Sequence, residues 1–229
     1  MEMPIVLPEK KIGFWKSFGM LFSAPGELFE RLSHHHDFSW PVLFLLVSLV
    51  FSLLLGKVST QVLVDTFPKY AEALEMQGKN IQLVSQLITG VLGSGLFWLI
   101  RAGVFTLLAK MLGGIAPKFV SVLSVVGYLY LPQTMRILFQ GSVATLTGAI
   151  PPLGLEMGME ISERLFTPLG LLLGEINPFT LFYLFLTMVG LEKTFKLSRV
   201  KAALITIFCW AVTVGYSMLM VSISYRFLK

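Results

Sequence analysis

The stretch from Gln86 to Gly114 limits this chain more than any other. It reads QLITGVLGSGLFWLIRAGVFTLLAKMLGG and carries two charges, Arg101 in its middle and Lys110 near its end. At about 1.5 Å rise per residue, about 20 residues cross a hydrocarbon core of about 30 Å. The stretch is long enough to do so with some tilt. It is apolar all round, without the one-sided stripe of a helix on a soluble surface. Lipid is therefore the expected solvent. A charge at mid-membrane costs several kcal/mol, so Arg101 must be sheltered by protein.

Composition agrees. The chain is 55% hydrophobic and 14% charged, where soluble domains carry about 25% charged residues. The first long apolar run begins near Trp40, too far in for a secretory signal. Cys209 is the one cysteine, which excludes an intramolecular disulfide and an all-cysteine metal site. The net charge of +5 suits flanks facing anionic lipid better than a nucleic-acid surface.

Taken in order, residues 1–11 are expected to be a loose tail. Residues 12–36 hold two short amphipathic pieces divided at Ser23-Ala24-Pro25. Phe14, Trp15, Phe18, Leu21 and Phe22 line one, and Leu28, Phe29 and Leu32 line the other. Both are too short to span. They are expected to lie in the headgroup plane, the alternative being helices packed on the bundle. His34-His35-His36-Asp37 reads as a polar juncture. Adjacent histidines diverge on a helix, so His34 and His36 are weak candidates for a metal.

The first span is expected over 40–60, with Trp40 in the aromatic belt and Pro41 at the helix start. A polar loop follows, with a short helix over Pro68–Met76. The second span covers 86–112, and its Gly90, Ser94, Gly95 and Gly103 allow close helix approach. The third covers 119–139. Pro132 lies inside it and lacks the amide that would bond back to Tyr128, so a kink is expected. Residues 150–175 hold no clean apolar run and read as an amphipathic or re-entrant segment. Leu155, Met159, Ser162 and Phe166 line one side of it, and the carboxylates of Glu156 and Glu160 share another. Asn177-Pro178 is a cap and first-turn pair opening a fourth span over 176–192. A basic turn leads to a fifth over 202–225. The expected fold is all-α: a polytopic transmembrane helical bundle of five spans, forming a single membrane domain over 12–229.

Five crossings put the two ends on opposite sides. Lys193, Lys196, Arg199 and Lys201 cluster between the last two spans. Positively charged loops stay in the cytoplasm, which predicts a cytoplasmic N-terminus and an outer C-terminus.

Candidate functional residues follow from polarity placed in lipid. Arg101 is expected to pair with Glu156, Glu160, Glu163 or Glu175, or with Glu192, or else to line a cavity. Glu156, Glu160 and Glu163 form either a cation cradle or the wet side of an interfacial helix. Tyr128, Tyr130, Gln133 and Asn177 sit beside helix breaks, where membrane sites often form. The chain has no HExxH, GxSxG or glycine-rich phosphate loop, no basic stripe with interleaved aromatics for nucleic acid, and nothing that implies a cofactor.

Three separated pieces resemble the Yip1-domain membrane proteins. FSAPGELFERL at 22–32 is similar to that family's lead-in before the first span. SVVGYLYLPQ at 124–133 resembles its third-span signature through Gly127, Tyr128, Leu131 and Pro132. FYLFLTMVGLEKTFKLSRVKA at 182–202 resembles its fourth span and basic turn, with Gly190, Leu191, Leu197, Ser198, Lys201 and Ala202 in place. The resemblance implies a five-helix bundle with a cytoplasmic N-terminus. Eukaryotic members act in vesicle traffic with small GTPases and with each other. The short N-terminal region here is more similar to prokaryotic members, which implies a bacterial or archaeal plasma membrane. The expected function is a non-enzymatic membrane-organising or scaffold protein, with transport of an ion or small solute around Arg101 as the alternative. Expected partners are the bilayer, anionic headgroups at the N-terminal helices and the 193–201 turn, and a second copy or another membrane protein.

Overall fold

The computed structural model describes residues 13–67 and 79–228, and its regular elements there are all helical. The tail over 1–11 and the helix over 68–76 fall outside the described residues. Two short helices, α1 (Phe14–Ser23) and α2 (Pro25–His34), precede the first span, α3 (Ser39–Thr66). The second, α4, runs Lys79–Met111. It begins seven residues earlier than expected, so residues 79–84 are helix rather than loop. The third span is α5 (Phe119–Tyr128) followed by α6 (Leu131–Thr147), and it reaches eight residues beyond Phe139. After a 3-10 turn at Leu155–Gly158 come α7 (Ile161–Phe166), α8 (Pro168–Glu175), α9 (Pro178–Phe195) and α10 (Arg199–Leu228). Four of these units are long and apolar enough to cross a membrane. A fifth is formed if α8 and α9, bent by 63°, count as one broken span.

Crossings alternate in direction. Pro41 of α3 lies against Gly127, and Phe51 lies against Gly141. Ser48 and Thr134 share a hydroxyl hydrogen bond of 2.9 Å. The first and third spans are therefore parallel. α9 runs the other way: near its C-terminus the Phe195 carbonyl accepts the Ile115 amide at 2.8 Å, and near its start Glu175 meets Arg136. Lys201 donates to the Leu112 carbonyl at 2.7 Å, so the 112–118 and 196–198 turns sit together. α1 and α2 share that end, since a Cβ on Gly26 would lie 3.3 Å from Cε of Lys193.

The third span is the centre of the bundle. More than half of it is buried, against a small fraction of α3. Its interruption has a local cause. Pro132 offers no amide to the Tyr128 carbonyl, and the chain tightens instead, with Tyr130 donating to the Gly127 carbonyl at 3.2 Å. Regular bonding resumes when Thr134 donates to the Tyr130 carbonyl at 2.9 Å. Gly148 closes α6 in the left-handed region, φ +69°, where glycine carries no steric penalty.

The lead-in helices differ from a simple headgroup-plane arrangement. Leu28 and Phe29 are wholly buried and Leu32 nearly so, because α2 packs on α9 and α5. α1 is divided: Met20 and Leu21 join the core, while Trp15 stays 75% exposed. Trp40, expected in the aromatic belt, is covered by protein. It stacks on Phe14 at 4.0 Å and donates its indole N–H to the Phe14 carbonyl at 2.6 Å. Aromatic stacking and one buried hydrogen bond thus fasten α1 to the start of α3.

Candidate functional site

Arg101 sits on α4 about 15 Å along the helix from Met111. Its guanidinium lies over two rings, Tyr130 at the α5–α6 joint, 5.5 Å from the centroid, and Tyr183 of α9 at 5.4 Å. The expected ion pair is absent: among the described residues no carboxylate lies within ion-pair distance of Arg101. Central placement of an arginine costs about 2.5–3.5 kcal/mol on insertion scales. A ring face contributes about 0.5–2 kcal/mol, and Arg101 is half-buried, so two faces offset part of that penalty. The interruption before Pro132 places Tyr130 where it can do this.

The carboxylates proposed for Arg101 have other places. Glu192 lies at the basic end, with Arg199 at 3.1 Å and Lys193 at 3.5 Å. Glu175 pairs with Arg136 at 2.9 Å and also accepts from the Thr180 hydroxyl at 3.2 Å. Glu160 and Glu163 are exposed. Glu156 is buried in the 3-10 turn, whereas Glu160 is the residue before α7. Extended backbone at Met159 and Glu160 separates them, so the two do not share a helix face and no continuous stripe joins Leu155 to Phe166. Arg164 donates to the Ile150 carbonyl. Burial lowers its pKa, and the nearby Glu156 carboxylate opposes that shift.

Asn177 caps α9 as its position suggests. Its Oδ1 accepts the Thr180 amide at 2.9 Å, and its Nδ2 donates to the Gly174 carbonyl at 2.7 Å and to Thr180 Oγ1 at 3.0 Å. Asn177, Thr180, Glu175 and Arg136 therefore form one network that ties the α8–α9 break to α6. Gln133 is half-buried and makes no hydrogen bond among the described residues. Tyr128 is fully buried, and its hydroxyl donates to Oδ2 of Asp37.

Asp37 is the residue that sequence reasoning passed over. Its amide donates to Ser124 Oγ at 2.9 Å, and its carbonyl accepts from the same hydroxyl at 2.6 Å. Its Oδ1 accepts the Ser39 amide at 2.9 Å. The link between α2 and α3 is thereby fixed to α5. The signal was an acidic residue directly before an apolar span, beside histidines that drew more notice. Among the described residues, no three His, Cys, Asp or Glu side chains gather as a metal-binding group, so His34 and His36 gain no third ligand. Arg136 was also passed over, since it stands in what the sequence presents as the end of a span.

The arrangement has four parts: lead-in helices locked to the third and fourth spans, an arginine facing two rings midway along the apolar part of α4, a capped break before α9, and a basic end. No curated protein and no solved structure matches the chain. A family model, the Yip1 domain, matches residues 18–221, which takes in these parts except the first residues of α1. The chain is an integral membrane protein that belongs to the Yip1 domain family.

Proposed function

We propose that this protein is a non-enzymatic, membrane-organising scaffold of the Yip1 type. The observation that carries the reading is the treatment of Arg101. Its guanidinium lies over the faces of Tyr130 and Tyr183, beside a core to which α1, α2, α5, α9 and α10 all contribute. Arg101 is half-buried, and both rings that it faces belong to or pack against that core, so its charge is engaged with the aromatic faces of the bundle itself. The basic end supports the orientation. Lys193 lies beside Gly26 of α2, and Lys196, Arg199, Lys201 and Lys118 fall in or next to the turns at that same end; such a surface suits anionic headgroups. On this reading that end is cytoplasmic, the C-terminus lies outside, and the membrane is a bacterial or archaeal plasma membrane. Contacts with a second copy or another membrane protein are made through the lipid-exposed faces.

The test is reconstitution into proteoliposomes, comparing wild type with Arg101→Ala. The scaffold reading expects no solute-dependent flux over a broad panel, and self-association that increases with protein density in the bilayer. Solute-dependent flux that is lost in Arg101→Ala overturns it and restores transport.

A further inference from the structure

The break before α9 encloses a carboxylate that the Arg136 network does not use. Glu156 is 5% exposed. Its Oε1 accepts the Leu153 amide at 3.0 Å. Its Oε2 is buried and has no hydrogen-bond partner among the described residues. Two carbonyls close in on the same place. A Cβ built on Gly154 would stand 2.6 Å from Glu156 Oε2, 2.6 Å from the Leu173 oxygen and 2.8 Å from the Ile176 oxygen. The backbone of Gly154, φ −117° and ψ −155°, is open to any residue, so the glycine supplies space rather than a special dihedral.

The place where the three oxygens converge lies one bond length from the Gly154 α-carbon, so an α-hydrogen points into it and offers the oxygens only weak C–H···O contacts; a buried carboxylate oxygen without a full hydrogen-bond partner is costly. Leu173 and Ile176 lie at the C-terminal end of α8, where the Leu173 carbonyl accepts the Ile176 amide at 3.1 Å and keeps a second lone pair, and where the helix dipole favours positive charge. We infer that Glu156, with the carbonyl oxygens of Leu173 and Ile176, binds a monovalent alkali cation, Na⁺ or K⁺, which fastens the α8–α9 break. Carboxylate and carbonyl oxygens are donors for hard cations, not for transition metals. One carboxylate neutralises one charge. A divalent ion would leave a buried excess, made worse by Arg164 nearby. Arg164 is the rival counter-charge, but its guanidinium donates to the Ile150 carbonyl and stands outside ion-pair distance of Glu156. Unwound backbone beside a half-helix is a recurrent alkali site in membrane proteins.

The experiment uses the full chain in mild detergent, heated at constant ionic strength in NaCl, KCl or N-methyl-D-glucamine chloride. One alkali cation is expected to raise Tm saturably, by about 3 °C or more at ten times its Kd. The Glu156→Gln variant is expected to be insensitive to the choice of cation, while Glu160→Gln, at an exposed position, keeps the wild-type response. Equal Tm values for wild type in all three salts overturn the proposal and leave Oε2 to a proton or to Arg164. A Glu156→Gln variant that keeps the full alkali response overturns it too. Should that variant not fold, radioactive sodium binding to wild type and Glu156→Asp decides. Withdrawing the carboxylate by one methylene is expected to weaken binding tenfold or more, and unchanged binding refutes the site.

Discussion

Gly127→Ala tests the packing at the centre of the bundle. A methyl group there would lie 2.5 Å from Cβ and 2.7 Å from Cγ of Pro41, and 2.9 Å from Cζ2 of Trp98. Carbon atoms prefer about 3.5–4.0 Å, so α3 must move away by about 1 Å. Neither neighbour yields easily. Pro41 is a closed ring in the first turn of α3, and Trp98 is held by its indole N–H donating to the Leu123 carbonyl at 2.8 Å. Moving α3 also pulls Asp37 away from Ser124 and Tyr128. Overpacking costs about 1–3 kcal/mol, and this site belongs at the upper end. For a chain of this size, about 3 kcal/mol lowers Tm by about 6–12 °C. The assay is intrinsic tryptophan fluorescence during heating in mild detergent, with Gly103→Ala as the matched control. A Cβ on Gly103 meets nothing within 4 Å, so that variant is expected to melt within about 2 °C of wild type, corresponding to less than about 1 kcal/mol. A Gly127→Ala protein as stable as wild type, or a Gly103→Ala protein equally destabilised, refutes the reasoning.

Tyr183→Leu removes one ring face from Arg101 and is expected to destabilise by about 1–2 kcal/mol, whereas Tyr183→Phe keeps the face and costs less. In an Arg101→Met background the leucine substitution should lose most of its effect, and a thermal double-mutant cycle measures that coupling. Glu175→Gln leaves Arg136 without its charge partner in a site where both side chains are about three-quarters buried. A loss of about 1–3 kcal/mol is expected, and Arg136→Met combined with Glu175→Gln should recover part of it in the same melt. Asn177→Ala strips the cap from α9 and should cost about 1 kcal/mol, with faster amide exchange at Thr180 as the local readout.

Periodicity and run length made the spans legible, because lipid demands long apolar helices whatever they pack against. The Asn177-Pro178 start and the disturbance at Pro132 were legible as well, since each rests on one residue's own backbone chemistry. The partner of Arg101 was not. A sequence displays carboxylates as the obvious counterparts of a cation, and nothing in Tyr130 or Tyr183 announces that their rings face it. Glu156 and Glu160 misled for a related reason. Their spacing matches one helical turn, but the extended backbone at Met159 breaks the helix on which that spacing depends. The lead-in helices had an apolar stripe that either lipid or protein can cover. Only tertiary packing decides between them, and for α2 protein covers it.

The three pieces of sequence that resemble the Yip1 family are far apart in the chain, yet they form the sides of one junction. Gly26 of the lead-in approaches Lys193 of α9. A Cβ on Gly190 of α9 would lie 3.5 Å from Leu129, 3.6 Å from Val125 and 3.7 Å from Phe29. Gly127, just before Leu129, takes Pro41 and Trp98 on its own side, and Tyr128 reaches Asp37. The two helical glycines therefore do different work. At Gly190 the distances are ordinary van der Waals contacts that leave room for a methyl group, whereas Gly127 leaves none. A family pattern whose members meet in this way is a packing pattern: it specifies how α2 closes over α5 and α9. Each of these residues touches another element of the bundle. That is what a protein needs if its product is the shape and grouping of its own helices in the bilayer.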